Sequence, residues 1–193
     1  MSQPSNMLLP IQLVTGNMNA NHGKTMTPAY KILLLGLFAG MFIACGASSS
    51  SVAMHAISNV GLSRLVAGCI FPVGLMMIVF VGGELFTGDC LMIMGCLHKK
   101  YSVWAMIRVL AVVFAANFIG SALFAWLVNA TTQFNYTSNL MGAFTIKVAL
   151  GKLGLSFGSA FVSGILCNFF VCHSFASKSC SYSRISISST GLI

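Results

Sequence analysis

Long apolar runs separated by short polar connections dominate the chain. Four runs are long enough for helices that cross a membrane, because such a helix needs about 20 predominantly apolar residues. They cover residues 30–48, 65–97, 109–130 and 153–172. Residues 1–29 carry prolines, asparagines and glycines without a compact apolar core, so we expect a flexible or interfacial cytoplasmic arm and no cleaved signal peptide. The pattern predicts an all-α, polytopic helical bundle over residues 30–172.

Composition supports a membrane protein over a soluble domain. Of the 193 residues, 57% are hydrophobic and only 6% are charged, whereas roughly a quarter of the residues in a soluble domain are charged. The mean hydropathy is +0.91. The lipid bilayer is therefore a predicted partner of this chain.

The basic residues predict an orientation, because short loops rich in Lys and Arg stay on the cytoplasmic side. Five of them lie before or at the start of the first run, or between the second and third: Lys24, Lys31, Lys99, Lys100 and Arg108. Three lie on the opposite side: Arg64, Lys147 and Lys152. The bias predicts a cytoplasmic amino terminus. It also accounts for the formal charge of +8 without nucleic acid, because no basic patch is interleaved with aromatic residues.

The second run is interrupted by the sequence Gly82-Gly-Glu-Leu-Phe-Thr-Gly-Asp89, which holds both acidic residues of the chain. A charged side chain at the bilayer centre costs about 2.5–3.5 kcal/mol on insertion scales, so both carboxylates need partners or water. Glycines weaken a helix, and non-helical backbone at this depth occurs only inside protein or beside a cavity. We predict a helix broken near 85–88, with unpaired amides and carbonyls at the break. The alternative is that the run ends near Phe86 and Gly88-Asp89 forms a turn at the cytoplasmic surface.

Other chemistry is not indicated. The seven cysteines form no C-x-x-C pair and no zinc-like spacing with histidine, and we interpret them as small packing residues. No catalytic Ser/His/Asp arrangement, phosphate loop or metal cluster is present, so we expect no enzymatic activity, no metal and no cofactor. Small residues such as Gly36, Gly40 and Gly120 are predicted to permit close contacts between helices.

Three ordered motifs carry a resemblance to a known family. They are Phe71-Pro-Val-Gly-Leu75 followed by Glu84-Leu-Phe-Thr-Gly88, then Asn117 with Gly120, then Gly164-Ile-Leu-Cys-Asn-Phe-Phe-Val-Cys172. In this order and spacing, within a four-span membrane chain, they resemble the formate/nitrite transporter family of formate, nitrite and hydrosulfide channels. The resemblance covers roughly residues 31–172.

The resemblance implies an aquaporin-like bundle of two inverted three-helix halves, assembled as a homopentamer with a pore in each protomer. We place it in a bacterial inner (plasma) membrane. In the implied substrate pathway, Phe71 and Leu75 form an apolar constriction, and Leu85, Phe86 and Thr87 form the loop at the break. Lys152 is the implied lysine of the vestibule, and Asn168 supplies an amide in the central chamber. Three residues would be structural at the break: Glu84, Gly88 and Asp89.

A mechanism follows from the cost of moving charge through an apolar ring. An isolated carboxylate would incur a penalty of tens of kcal/mol, on the order of the Born cost, whereas the neutral acid would incur only a few. Lys152 would attract the anion, and the protonated acid would pass Phe71 and Leu75, so flux would rise as external pH falls. Formate is favoured as the substrate, with nitrite and hydrosulfide as alternatives and protons as a partner. Alternatively, Lys152 simply extends its amine to the membrane interface.

The chain departs from the family pattern after Cys172. The family continues into two more spans, the fifth carrying a histidine opposite Asn168, but residues 173–193 form a serine-rich segment that cannot span. His173 lies at the wrong end of the fourth span to replace that histidine. We therefore expect a truncated or frameshifted form lacking the last two helices, or a natural short variant. Two functions stay open: an anion channel and a non-conducting remnant of one.

Overall fold

The computed structural model describes residues 10–172, and the described part is helical. In chain order the helices are α1 (Pro10–Met26), α2 (Ala29–Met54), α3 (Val60–Ile70), α4 (Pro72–Val81), α5 (Phe86–Asp89), α6 (Met92–Leu97), α7 (Val103–Asn129), a 3-10 turn (Gln133–Asn135), α8 (Leu140–Leu153) and α9 (Phe157–Cys172). The serine-rich segment 173–193 lies outside the described residues.

Helices α2 and α7 form the main packed pair. A side-chain methyl at Gly40 or Gly120 would overlap the backbone of the facing helix, at Asn117 and Leu37 respectively. A methyl at Gly36 would lie 2.8 Å from the Ala116 side chain. Glycine therefore sets how closely these helices approach, which confirms the prediction that small residues permit close contacts.

The second apolar run is divided by proline and then stopped by glycine. Pro72 has no amide hydrogen, and it occupies the first position of α4 directly after α3. Helix α4 ends at Val81 and is followed by Gly82, whose φ of 77° lies in the left-handed region that glycine adopts at little cost. The amides of Gly82 and Gly83 both donate to the Ile78 carbonyl, at 2.9 and 3.0 Å. The chain then runs without helix to Leu85 and resumes as α5 and α6.

The amino-terminal arm requires a correction over residues 10–26. The prediction of a flexible segment is wrong here, because these residues form α1, which packs beside α6, whereas an interfacial location stays a prediction. Met18 is buried, and Lys100 donates to the Asn19 side-chain oxygen at 2.7 Å. The segment has no clear apolar stripe from which a helix could be read, so its order comes from tertiary contacts.

The fourth predicted span, residues 153–172, corresponds to α9, which forms a bent pair with the preceding helix α8. Helices α8 and α9 meet at an angle of 106°. Helix α9 begins at Phe157 and not at Leu153, because Ser156 precedes its first turn and accepts a hydrogen bond from the Ser159 amide at 3.3 Å. The connection after α7 is therefore largely occupied by α8.

Three described helices or helix pairs are long and apolar enough to cross a membrane: α2, α3 with α4, and α7. A fourth is added if α8 and α9 count as one span. Many of their large apolar side chains are exposed, including Phe157 and Phe169 at 86% and 70%. The protein is an integral membrane protein, since lipid or other protein must cover this surface.

Candidate functional site at the broken helix

One amide side chain organises the break between α4 and α5. Asn117 on α7 accepts a hydrogen bond from the Phe86 amide at 2.9 Å. Its nitrogen donates to the Glu84 carbonyl at 3.0 Å and to the Gly36 carbonyl at 2.8 Å. Asn117 therefore joins the break to both α2 and α7, and both polar atoms of its side-chain amide are used.

The break differs in part from the prediction of unpaired backbone amides, because several of its amides have acceptors. The amides of Gly82, Gly83 and Phe86 are paired as described above, and the Glu84 amide donates to the Leu35 carbonyl at 3.4 Å. A buried amide without a partner costs about 1–3 kcal/mol, which explains why the fold supplies acceptors here. Any ligand at the break must therefore find its polar contacts in side chains or in the remaining backbone groups.

The surface-turn alternative is wrong. Asp89 is only 1% exposed, and the chain continues into α6, where Met92 is fully buried. Met92 packs in an apolar cluster with Ile32, Val109 and Val113. The two acids therefore lie inside the protein, at a break followed by more buried helix.

The partner of both acids is Lys24, near the end of α1. Its amine lies 2.5 Å from a Glu84 carboxylate oxygen and 2.5 Å from an Asp89 carboxylate oxygen. Burial alone would lower the pKa of Lys24, but the two carboxylates outweigh it and raise the pKa above its usual 10.5. One ammonium thus holds two carboxylates, and α1 is fastened to the break.

The Thr87 hydroxyl oxygen is buried and has no hydrogen-bond partner among residues 10–172. The carboxyl end of α9 contacts the backbone of the same residue. The Cys172 thiol donates to the Thr87 carbonyl at 3.4 Å. The same thiol lies 3.6 Å from the Asn168 side-chain oxygen. Thr87 and Asn168, which are 81 positions apart in the sequence, are thereby brought to one place.

The other predicted pathway residues have different surroundings. The Phe86 ring packs edge-on against Phe114, with centroids 5.4 Å apart, so its side chain anchors α5 on α7. Phe71 and Leu75 lie one turn apart at the start of α4, with Phe71 exposed and Leu75 half-buried. Lys152 lies exposed in the last turn of α8. The two acidic side chains of the sequence are held by Lys24, which leaves the Lys152 ammonium without a side-chain carboxylate.

Sequence reasoning missed two roles. Asn117 was noted only as part of a motif, and Lys24 only as a charge that sets orientation. A signal for Lys24 did exist, since two acids inside an apolar run require a cation. Nothing local identified which of the ten basic residues supplies it.

Comparisons with known proteins agree with the geometry. A family model described as "Formate/nitrite transporter" matches residues 12–186. A probable formate transporter of Methanothermobacter thermautotrophicus is 33% identical over 167 residues, which cover 77% of this chain and 61% of that one. A formate-nitrite transporter of Entamoeba histolytica is 31% identical over 173 residues, covering 87% and 48%.

A solved structure, a pentameric formate channel with formate bound, matches with a TM-score of 0.67 and 26% identity, covering 79% of this chain and 64% of that one. The predicted all-α membrane bundle with a broken second helix is thereby confirmed. The chain spans less than two thirds of the length of these curated relatives.

Proposed function

The chain belongs to the formate/nitrite transporter family, and we propose that its broken helix lies on a pathway for small monovalent anions. Formate is the first candidate substrate, and nitrite and hydrosulfide are the alternatives. The matching family is described as a transporter family, which supports a transport function for this chain.

The observation that carries the proposal is the buried Thr87 hydroxyl. Buried polar groups nearly always have a hydrogen-bond partner, so an unpartnered one beside a helix break indicates a place for water or a ligand. The Cys172 thiol, which donates to the Thr87 carbonyl, also contacts the Asn168 side chain. A hydroxyl and an amide can both donate to a passing carboxylate or its acid.

The charges support passage of a neutralised anion. The Lys152 ammonium is exposed and has no side-chain carboxylate partner, so it can attract an anion from solution. The ammonium of Lys24 is occupied by Glu84 and Asp89 and is not offered to the anion. The anion takes up a proton before it passes Phe71 and Leu75, because the neutral acid crosses an apolar ring at far lower cost.

The assembly and orientation belong to the same proposal. The chain acts as a homopentamer, supported by the likeness to a pentameric formate channel. Its amino terminus and the α6–α7 connection face the cytoplasm, supported by the distribution of Lys and Arg. The membrane is the bacterial inner (plasma) membrane.

Formate uptake into vesicles tests the pathway. We expect Thr87→Val, which keeps the volume but removes the hydroxyl, to lower the rate roughly five- to tenfold, the equivalent of one hydrogen bond of about 1–1.5 kcal/mol. Thr87→Ser, which keeps the hydroxyl, is the matched control. Uptake by Thr87→Val that equals the rate of the unchanged chain would contradict a contact between the hydroxyl and the substrate.

The pH dependence of formate uptake tests the role of Lys152. Uptake by the unchanged chain should increase as external pH falls, and Lys152→Ala should lower uptake at each pH. Lys147→Ala, in the same helix, is the control for a general loss of positive charge. If Lys152→Ala leaves both the rate and its pH dependence unchanged, the lysine only extends to the interface. Absence of uptake by the unchanged chain would favour the non-conducting alternative.

A further inference from the structure

Two thiols lie beside the break, one from the residue that follows α5 and one from the end of α9. The Cys90 thiol, directly after α5, donates to the Phe86 carbonyl at 3.3 Å. The Cys172 thiol, at the end of α9, donates to the Thr87 carbonyl at 3.4 Å. These two carbonyls belong to successive residues, so the sulfur atoms are held beside the same short piece of backbone.

A shared side chain strengthens this placement. Asn168 lies close to Cys90, and its side-chain oxygen is 3.6 Å from the Cys172 sulfur. Both cysteines are free thiols and both are partly accessible. The unpartnered Thr87 hydroxyl belongs to the residue whose carbonyl accepts from Cys172. The two thiols therefore lie close to Asn168 and to the backbone of Thr87, where α9 meets the break.

We propose that Cys90 and Cys172 form a binding site for one soft, thiophilic metal cation in two-coordinate geometry. Thiolates select soft metals, of which Hg(II), Ag(I) and Cu(I) accept two ligands. Within residues 10–172 no cluster of three or more His, Cys, Asp or Glu side chains is placed to hold a metal. A pair of thiols can therefore complete the coordination only of an ion that binds two ligands.

Charge favours Hg(II) as the probe. Each thiol loses its proton to solvent as its sulfur binds, so two thiols and one Hg²⁺ give a neutral bis-thiolate and two protons. Neutrality matters because a net charge left in this apolar region would be costly. The bound ion would cross-link α9 to the break beside Thr87. Blockage of anion passage by the bound ion rests on the proposed function, whereas binding itself does not.

Intact-mass spectrometry of the purified full chain tests the site. The starting protein keeps Cys90 and Cys172 and carries serine at the other five cysteines: Cys45, Cys69, Cys96, Cys167 and Cys180. One equivalent of mercuric chloride is added, followed by an excess of the monothiol glutathione. We expect the two-thiol protein to retain one mercury with the loss of two protons. Cys90→Ser and Cys172→Ser should each lose it to glutathione.

A control pair separates a built site from any two thiols. A protein that keeps only Cys69 and Cys167, both exposed, should retain no mercury after the same challenge. Each single variant is also made with alanine, and circular dichroism checks that helix content is kept. Loss of mercury from the Cys90 and Cys172 protein, or equal retention by the single variants, would overturn the proposal.

Formate uptake then tests the proposed metal site and the proposed anion pathway separately. Mercury retained by the pair should reduce uptake strongly, and dithiothreitol should restore it by removing the metal. Retained mercury with unchanged uptake would support the metal site and count against the anion pathway of the proposed function. Loss of mercury from the pair would overturn the metal site whatever the uptake, so the two failures are distinguishable.

Discussion

At the scale of single residues, long-range polar contacts decide how the break is held. Lys24 reaches two carboxylates that lie 60 and 65 positions later in the sequence. Asn117 bonds to Phe86 and Glu84 at the break, which lie 31 and 33 positions earlier in the sequence. It also bonds to Gly36 of α2, which lies 81 positions earlier. Both residues satisfy groups that would be costly to bury alone. Each of them therefore supports a testable prediction.

Lys24→Met should destabilise the protein by on the order of 3 kcal/mol, because it leaves two carboxylates without their cation. Glu84 and Asp89 are 15% and 1% exposed, so water can compensate little. Thermal unfolding in detergent would show a lower transition temperature. Lys99→Met, at an exposed position, is the control.

A combined variant tests whether charge is the cause. Lys24→Met with Glu84→Gln and Asp89→Asn removes the cation and both anions, and it should recover much of the stability that Lys24→Met loses. A combined variant no more stable than Lys24→Met would contradict an electrostatic role and indicate loss of packing.

Asn117→Leu should lower stability by several kcal/mol, since three backbone groups lose a partner and each costs about 1–3 kcal/mol when buried. The replacement keeps the approximate shape of the side chain. Thermal unfolding and limited proteolysis near residues 82–89 would measure the change. Asn129→Leu, at the exposed end of α7, is the control, and an equal effect of both variants would contradict the proposed role at the break.

At the scale of elements, close helix packing and helix interruption have separate causes. Helices α2 and α7 approach through glycines that leave no room for a methyl group. The interruption between α4 and α5 comes from Gly82 in the left-handed region and is stabilised by contacts from α2 and α7. Packing and break are therefore coupled through the same helix pair.

Gly120→Ala should separate α2 from α7 and destabilise the protein by roughly 1–3 kcal/mol, because the new methyl would overlap the Leu37 carbonyl oxygen. Gly68→Ala in α3 is the matched control, since its methyl would meet open space and alanine favours a helix by up to about 1 kcal/mol. Thermal unfolding of both variants measures the difference. Equal transition temperatures for the two would show that α2 and α7 tolerate the extra group.

At the scale of the whole molecule, the described helices leave much apolar surface uncovered. Helix α9 is exposed along nearly its whole length in the single chain, while its last turn contacts the break. Such a helix needs lipid or neighbouring protein around it. The orientation of the molecule in the membrane is the prediction to test at this scale.

Single cysteines in an otherwise cysteine-free chain should report the orientation. We expect Thr132→Cys, between α7 and α8, to react with a membrane-impermeant maleimide in intact cells. His98→Cys, between α6 and α7, should react only after the cells are permeabilised. Both positions are exposed, which makes the pair a fair comparison. The reverse pattern of labelling would place the amino terminus outside the cytoplasm.

Much of the fold follows from local patterns in the sequence. Apolar length alone predicts helices over α2, α3 with α4, and α7, because backbone hydrogen bonds in a membrane must be satisfied within each segment. Glycines and paired acids predict the break between α4 and α5, and ordered motifs indicate the family. Helix α1 and the bend before α9 were not predicted, since their order depends on contacts with distant segments.

The sequence by itself therefore determined where the apolar helices lie, that one of them is broken, and to which family the chain belongs. Only the tertiary structure decided that Lys24 pairs with both acids, that Asn117 holds the break, and that Cys90 and Cys172 bond to successive backbone carbonyls. The physical reason is that apolarity and helix propensity act over neighbouring residues. The partners of buried charges, amides and thiols are chosen instead by proximity in three dimensions.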